Sequence, residues 1–350
     1  MILIKRFNKG DKMDKELATL IQRLQDYQKG CEEKCLDFQA LKFEAKESEM
    51  RLYTPMRSYF FKNDPKNPRD PKIIHAAKQF CKIQKIPYSF FAKQPEYMKN
   101  QLVECWLPTI KPDKSAVLAK LRKTKTEDSD IIRALLPVEF TNIPNAEVVE
   151  MIAEAIKDAF RVEFVIGDDR DDIILHVRFI SNEVFTVCGD ECSTGFSVIA
   201  SELGATPISV ETMLFRNASK GAMVASYSGE SYFETNYEGI QPAALRELFP
   251  RLIGCLQEQL SDLEERVKSA NETIIKKEDA GDLLQNIRLR KGLSDKFHTL
   301  LLQEIESNPV ENRWDFVNRM AILAKDFDVV TRVRIEKLAG ELIGLLFDKA

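Results

Sequence analysis

The sequence predicts an α+β fold, in which a twisted, mostly antiparallel sheet with packed helices is followed by a C-terminal helical region. Helical and strand-like patterns alternate up to Phe160, and residues 161–236 contain short apolar runs that glycines separate. From Gln241 onward, leucines recur at three- and four-residue spacing. A chain of 350 residues with 44% hydrophobic side chains can bury a sizeable core around these elements.

The first predicted elements are a helix, a hairpin and a loop. Residues 13–28 carry apolar side chains at helical spacing, and Gly30 ends this helix. Residues 37–53 alternate between apolar and polar side chains, which predicts a hairpin with its turn at 44–48. Prolines and alternating charges predict a loop at 62–71.

Two helices and a strand come next. The apolar stripe of residues 72–86 predicts a helix that Pro87 ends, and residues 96–107 predict another helix between two prolines. Residues 115–124 alternate as a strand does. Val117, Ala119 and Leu121 would form its apolar side, and Lys120 and Arg122 its basic side.

The second half of the chain is first strand-rich and then helical. Residues 145–160 predict a helix with Asn145 as its N-cap. The strand patterns lie at 162–166, 172–180, 183–187, 196–203, 209–216, 222–227 and 232–235, and the helical patterns at 241–267, 279–306, 311–326 and 328–347. Pro250 kinks or breaks the first of these helices, and the apolar last helix would pack inside a bundle or against another subunit. We therefore predict a helix-and-hairpin region at 1–55, an α+β core at 56–240 and a helical region at 241–350.

Basic charge is concentrated between Arg57 and Lys125. This block holds sixteen lysines and arginines against five acidic residues, a net charge of +11 in a chain whose net charge is −4. A segregated positive field attracts polyanions. Aromatic residues are interleaved with these charges, and basic groups with flat rings are the two components of a groove for single-stranded nucleic acid. The alternative is that the rings form core and the lysines are solvated.

Within the block, the strand at 115–124 is the best candidate for a surface that follows a phosphate backbone. We expect Lys120, Arg122, Lys123 and Lys125 to contact phosphates, with Arg216 as a further basic candidate outside the block. Tyr88 or Phe91 would stack on bases if their rings are exposed. A half-exposed sheet with solvated lysines remains the alternative for the same strand.

No motif for enzymatic chemistry stands out. The sequence has neither a P-loop nor a dinucleotide-binding glycine motif, and its three histidines are isolated. The carboxylates of residues 168–172 lie between strand patterns and predict a hairpin turn rather than a calcium loop. The spacing of the seven cysteines favours reduced thiols over a zinc site. We predict no enzyme, no metal and no cofactor; a hydrolase using residues 168–172 would require another acid and a divalent ion.

The expected location is the cytoplasm. No apolar run approaches the roughly 18 residues that span a bilayer. The N-terminal apolar run is too short for a signal-peptide core and is followed by polar residues. We therefore expect no membrane partner.

Two stretches, residues 192–204 and 214–221, resemble the phage/plasmid-like proteins of the family called domain of unknown function 932. The residues that match the family pattern are Gly195, Ser201, Glu202, Gly204, Phe215, Arg216 and Gly221. Stretches at 86–95, 132–136 and 312–318 are also similar, and the resemblance covers roughly residues 70–340. Where the family often has Cys-Thr-Asn-Gly, this chain has Ala-Ser-Lys-Gly at 218–221, so any role of that cysteine or asparagine is absent.

The resemblance implies a mobile-element origin in a bacterial host and leaves the activity open. The matching residues also have a structural interpretation of their own. Gly195, Gly204 and Gly221 suit positive φ at turns or a bulge. Glu202 would pair with Arg216 and hold a turn.

These observations predict a phage- or plasmid-encoded, homo-oligomeric protein that binds single-stranded nucleic acid, with strand annealing as a related activity. Its partners would be single-stranded DNA or RNA and, through the C-terminal helices, further copies of itself. The alternative is a structural or host-directed protein–protein interaction protein that binds no nucleic acid. The two hypotheses separate on whether Lys120, Arg122 and Arg216 share one open groove with exposed rings.

Overall fold

Two mostly antiparallel sheets and eleven α-helices form the residues that the computed structural model describes, so the predicted α+β class is confirmed. The sequence patterns indicated one sheet, and the structure has two. The described residues are 13–46, 49–61, 71–110, 115–124, 128–156, 160–164, 174–217, 221–224, 233–259, 261–291, 293–327 and 329–344.

The first sheet has six strands in the order β1-β5-β6-β4-β3-β2. Its strands are β1 (Cys31–Asp37), β2 (Lys42–Lys46), β3 (Glu49–Thr54), β4 (Arg57–Phe61), β5 (Ala116–Lys123) and β6 (Ser129–Leu136). Only β4 and β6 run parallel within this described sheet. The predicted boundary at residue 55 falls between β3 and β4, which pair over five positions, so both predicted regions contribute strands to one sheet.

A layer of three helices lies on one face of the first sheet, and we call it the helical layer. Its members are α2 (Pro71–Ile83), α3 (Tyr88–Phe91) and α4 (Glu96–Trp106). Phe80 of α2 stacks on Phe43 of β2 with 5.5 Å between ring centroids. Val117, Ala119 and Leu121 are buried in the same cluster, which confirms the predicted apolar side of β5.

The second sheet has the order β12-β11-β10-β8-β7, with β9 and β13 paired to its middle strands. Its strands are β7 (Phe160–Phe164), β8 (Leu175–Ser181), β9 (Phe185–Val187), β10 (Asp190–Ala200), β11 (Ile208–Arg216), β12 (Gly221–Val224) and β13 (Phe233–Thr235). Its apolar face packs against α1 (Met13–Gln28), α5 (Asn145–Ile156) and α6 (Pro242–Gln259). Leu136 of the first sheet lies in the same cluster, so the two sheets share a core.

The opposite face of the second sheet is buried although it is polar. Arg178, Ser197 and Glu211 are neighbours across β8, β10 and β11, and all three are buried. The last helix of the chain, α11 (Val329–Gly344), covers this face with its own charged residues, among them Glu336. Ion pairs therefore fix the C-terminal helices to the sheet.

The C-terminal region is a bundle with its own core. Its further helices are α7 (Ser261–Glu272), α8 (Lys277–Lys291), α9 (Asp295–Ser307) and α10 (Arg313–Leu323). Helix α6 continues through Pro250. The helix predicted at 279–306 is instead α8 followed by α9, because the Ser294 hydroxyl accepts a hydrogen bond from the Phe297 amide at 3.3 Å and starts a new helix. Leu338 and Leu342 of α11 are buried in this core, so these apolar side chains are covered within one chain.

The turn between β9 and β10 forces a non-glycine residue into a left-handed conformation. Cys188 has φ of 51° and Gly189 has φ of 80°, and their neighbours Val187 and Asp190 pair across the hairpin. Two central residues at positive φ are typical of a type I′ turn, for which Asn-Gly is the preferred sequence. Cys188 is exposed, so its side chain gives no packing in return.

Cys188→Asn is therefore expected to raise the free energy of unfolding by about 0.5–1 kcal/mol. Urea denaturation followed by circular dichroism measures the change. Cys105→Ser, which removes an exposed thiol from α4, is the control for loss of a thiol and should leave stability nearly unchanged. A Cys188→Asn variant that is no more stable than Cys105→Ser would contradict the turn assignment.

Candidate nucleic-acid interface

The Lys120 ammonium is buried, which corrects the expectation that it contacts a phosphate. Its Nζ donates to Glu33 and, at 2.6 Å, to Oδ1 of Asn142. It also lies 5.8 Å from the centroid of the Phe140 ring. Burial lowers the pKa of Lys120, although the bond to Glu33 acts in the opposite direction. Lys120 therefore connects β5 to β1 and to the segment after β6.

Arg122 is also occupied by contacts within the chain. Its Nη2 donates to the Tyr27 hydroxyl at 2.5 Å, and its guanidinium lies 5.1 Å from the centroid of the same ring in α1. Lys123 is exposed, with its Nζ at 3.2 Å from Oε2 of Glu32. Lys125 lies outside the described residues. Of the three predicted residues on β5, only Lys123 presents an exposed ammonium group.

A β-bulge brings a second arginine beneath α1. The register between β5 and β6 shifts at Arg133, which is the extra residue of β6. The Arg133 guanidinium lies 4.7 Å from the Tyr27 ring centroid, and its Nη1 donates to Oε1 of Glu202 at 3.1 Å. Tyr27 of α1 thus covers both Arg122 and Arg133, and Glu202, in the turn that follows β10, balances the charge of Arg133.

The two predicted stacking residues belong to the core and its edge. Phe91 is 1% exposed and its ring centroid lies 6.2 Å from that of Phe43, which corrects the expectation that it stacks on a base. Tyr88 is half-buried, with Lys78 Nζ at 5.9 Å from its ring centroid. Burial raises the pKa of the Tyr88 hydroxyl.

Arg216 lies at the junction of the second sheet and the bundle. Its Nη2 donates to Oδ1 of Asp190 at 2.5 Å, and Trp314 of α10 donates from Nε1 to Oδ2 of the same carboxylate at 2.9 Å. Glu202 instead accepts from Arg133 and, at 3.2 Å, from the Asn145 amide at the start of α5. The expected Glu202–Arg216 pair is therefore wrong.

The predicted residues do not form one groove. Lys120 and Arg122 bind partners on β1 and α1 at the first sheet, whereas Arg216 binds Asp190 in the second. Each of these three cations has a partner inside the chain. A surface for a polyanion has to be sought elsewhere in the basic block.

The helical layer carries the exposed rings of that block. Phe90 is 49% exposed, Tyr97 is 64% exposed and Trp106 is 39% exposed. Residues 71–110 contain six lysines against two acidic residues, a net charge of +4. Among the residues that the structure describes, Lys82, Lys85, Lys93 and Lys99 form no ion pair. The layer thus combines exposed aromatic rings with lysines that have no carboxylate partner among the described residues.

Lys85 has an unfavourable backbone conformation at the end of α2. Its φ is 56°, and the Ile86 amide donates back to the Cys81 carbonyl at 2.9 Å while the Lys85 amide donates to the Lys82 carbonyl at 3.1 Å. This is a Schellman helix end, whose left-handed position normally holds glycine. The structure therefore presents a lysine where glycine would be more stable.

Sequence reasoning missed the three exposed rings as a set. Tyr97 lies six residues before the buried Val103, which places it about 120° around α4 from the core-facing side. That offset was readable from the sequence, once α4 was assigned and its core residue known. Trp106 lies at the last residue of α4, and the exposure of Phe90 on the four-residue α3 has no periodic pattern to predict it.

The pKa is lowered at two histidines, the buried His176 and the half-buried His75. Burial, and then Arg178, Arg332 and Lys337, hold the pKa of His176 well below its usual value, while His176 Nε2 bonds to the Ser197 hydroxyl at 2.8 Å. Burial also lowers the pKa of His75, whose Nε2 donates to the Leu203 carbonyl at 2.9 Å. Both imidazoles thus bond to groups inside the chain.

Stability is therefore expected to fall as the pH is lowered below about 6.5, the ordinary histidine pKa. Below that pH the histidines of the unfolded chain bind protons and those of the native chain do not. The free energy of unfolding therefore falls by at most about 1.4 kcal/mol per pH unit for each histidine. Urea midpoints at pH 7.5, 6.5 and 5.5 measure this slope. His176→Gln should reduce it, and an unchanged slope in that variant would assign the pH dependence to other groups.

The described residues contain no candidate metal site. These residues contain no group of three or more histidine, cysteine, aspartate or glutamate side chains placed to hold a metal ion. Residues 168–172, the acidic candidate, lie outside the described residues. Within the same ranges, no helix combines the length and the apolar character that crossing a bilayer would require.

Comparison with known proteins adds no further information about the site. None of the family models, curated proteins or solved structures compared with the chain matches it. The resemblance to domain of unknown function 932 therefore stays a prediction. The helical layer is a candidate site because of its structure alone.

Proposed function

We propose that the chain binds single-stranded nucleic acid on the outer side of the helical layer. The observation that carries this proposal is the coincidence of three exposed aromatic side chains with four lysines that form no ion pair among the described residues. These lysines replace the set predicted on β5, where Lys120 and Arg122 are held by contacts inside the chain.

The chemistry of this layer favours single strands. Lysine ammonium groups attract phosphates irrespective of base sequence. Exposed rings stack on unpaired bases, whereas the bases of a duplex are already stacked on each other. The expected binding is therefore tolerant of sequence, sensitive to salt and weaker for duplexes.

Fluorescence anisotropy of the full chain with labelled oligo(dT), oligo(U) and a DNA duplex tests the proposal. If the four lysines each neutralise one phosphate, the slope of log K against log salt is about −2.8 for single strands. No binding of either strand at low salt with micromolar protein would refute the proposal and favour the alternative of a protein-docking surface. Equal affinity for the duplex would show that stacking of the rings on unpaired bases does not contribute to binding.

Variants of the exposed rings separate stacking from charge. Phe90→Ala combined with Tyr97→Ala should weaken binding by about 1–3 kcal/mol for each base that loses its stacking partner, and should leave the salt slope unchanged. Met56→Ala is the control, because Met56 is 87% exposed on the turn between β3 and β4. A ring variant that binds as Met56→Ala does would show that the rings do not contact bases.

Lys85→Gly is expected to strengthen the fold and weaken binding at once. Glycine relieves the left-handed strain at the end of α2, worth about 1 kcal/mol, and the loss of one ammonium group flattens the single-strand salt slope by about 0.7. Thermal unfolding and anisotropy measure the two effects. Lys123→Gln, at an exposed lysine that lies near Glu32, is the control and should leave binding unchanged. Because the variant gains stability, weaker binding cannot result from unfolding.

The setting of the proposed function follows from the sequence. A phage- or plasmid-encoded, cytoplasmic protein that self-associates is the expectation carried by the resemblance and the helical C-terminus. Leu338 and Leu342 are buried within one chain, so self-association would need a surface other than these side chains. Size-exclusion chromatography with light scattering, with and without oligo(dT), measures the oligomeric state.

A further inference from the structure

A cavity of about 570 Å³ lies between the two sheets. Its walls are α2, the start of β5, the segment after β6, the turn at 204–207 and the segment at 236–238. Small-molecule sites typically have volumes of about 300–1,000 Å³ and are common where structural units meet. The cavity is therefore large enough to hold a mononucleotide.

The walls of the cavity combine apolar and polar surface, and three charged side chains lie among them. Phe140 and Tyr237 stack on each other with 4.7 Å between ring centroids and form one wall. Lys82 of α2 is exposed and, among the described residues, forms no ion pair. Glu139 and Glu238 are exposed acceptors. A ligand that complements these groups carries an anionic group for the lysine, hydrogen-bond donors for the two carboxylates and an apolar part for the wall.

We propose that this cavity binds one ribonucleotide unit. The Lys82 ammonium would contact its phosphate, since lysine is a common point-charge ligand for phosphates. The carboxylates of Glu139 and Glu238 would accept hydrogen bonds from the ribose hydroxyls, which carboxylates do in nucleotide-binding folds. The apolar wall would receive the base. The inference rests on the proposed function in one respect. Lys82 belongs both to the helical layer and to the cavity wall, so the end of a strand bound to the layer would reach the cavity.

The two carboxylates make the cavity selective for ribose. A ribose offers two adjacent hydroxyl donors, and a deoxyribose offers one. A site that is built to accept a hydroxyl proton loses affinity when the hydroxyl is absent, because its acceptor then has no partner. The cavity would therefore favour RNA over DNA at one position of a bound strand.

Titration of the full chain with 5′-AMP and 5′-dAMP, followed by isothermal calorimetry and ligand-observed NMR, tests the inference. AMP is expected to bind about tenfold more tightly than dAMP. Lys82→Ala should weaken both nucleotides by about tenfold. Glu139→Gln combined with Glu238→Gln should bring the two affinities together.

A cavity-filling pair of variants locates the binding. Ala205→Trp places a large side chain at the cavity wall, whereas Ala243→Trp adds one at an exposed position of α6. Only Ala205→Trp should abolish AMP binding, with both variants folded by circular dichroism. AMP binding that survives Ala205→Trp, or equal affinity for AMP and dAMP, would overturn the inference. If the chain binds oligo(U) but not AMP, only the proposed nucleotide site in the cavity is contradicted. If it binds AMP but no single strand, only the proposed function of the helical layer is contradicted.

Discussion

Glu336→Gln is expected to lower the free energy of unfolding by about 3–5 kcal/mol. Glu336 is 1% exposed, and its two carboxylate oxygens accept from Arg178 Nη2 and, at 2.9 Å, from Arg332 Nε. Both arginines are buried as well, with 0% and 2% exposure. Removal of the negative charge takes from both buried guanidinium groups the carboxylate that they share, and the loss of an ionic partner costs most in the interior. Urea denaturation followed by circular dichroism measures the loss.

Two comparison variants isolate the effect of burial. Glu304→Gln removes a carboxylate that pairs with Arg319 in the same bundle at 3.1 Å, but this pair is partly exposed, and we expect a loss of about 1 kcal/mol or less. Replacement of the whole triad by Arg178→Met, Arg332→Met and Glu336→Leu should recover most of the stability lost in Glu336→Gln. A loss in Glu336→Gln as small as in Glu304→Gln would mean that water reaches the triad.

Local patterns predicted the helices better than the strands. The apolar spacing of 13–28 is a property of one segment, and α1 has these bounds. Strand β1 was missed because it lies at the edge of the sheet and exposes charged residues, so its sequence has little apolar alternation. Strand β6 was missed because it is buried on nearly its whole length and is interrupted by Arg133, which gives no period of two. Whether a strand lies at the edge of a sheet or contains a bulge depends on neighbouring strands from other parts of the sequence.

The candidate site was mislocated for the same reason. The apolar side of β5 is a local pattern and was predicted correctly, but whether its basic side faces solvent depends on Tyr27 of α1, which binds Arg122, and on Glu33 of β1, which binds Lys120. Both partners are distant in sequence, so no pattern within 115–124 could reveal them. Charge counting identified the basic block and not which of its cations already have partners.

The residues that resemble domain of unknown function 932 lie where structural units meet. Glu202 connects the first sheet to α5 through Arg133 and Asn145. Arg216 and Trp314 bind the same carboxylate of Asp190 and connect the second sheet to α10. A motif made of such residues would keep the arrangement of the units rather than a reaction.

Gly195→Ala is expected to destabilise the protein by about 3 kcal/mol or more. Gly195 is not among the described glycines with positive φ, so its predicted role in a turn is wrong. It lies in the middle of β10, where a Cβ atom would be 2.1 Å from the backbone carbonyl oxygen of Phe179 and 3.1 Å from the Cα of Ile180. Because both contacts are with backbone atoms, β8 would have to move away from β10.

That displacement would act on the polar face that anchors α11. Gly195 pairs with Ile180 on the same strand as Arg178, two residues from the guanidinium that binds Glu336. Gly281→Ala is the matched control, since a Cβ there meets nothing within 4 Å and alanine in a helix is more favourable than glycine by about 0.5–1 kcal/mol. The two glycine-to-alanine changes should therefore shift the unfolding midpoint in opposite directions. A Gly195→Ala chain as stable as the parent would show that β8 and β10 are less closely paired than their register indicates.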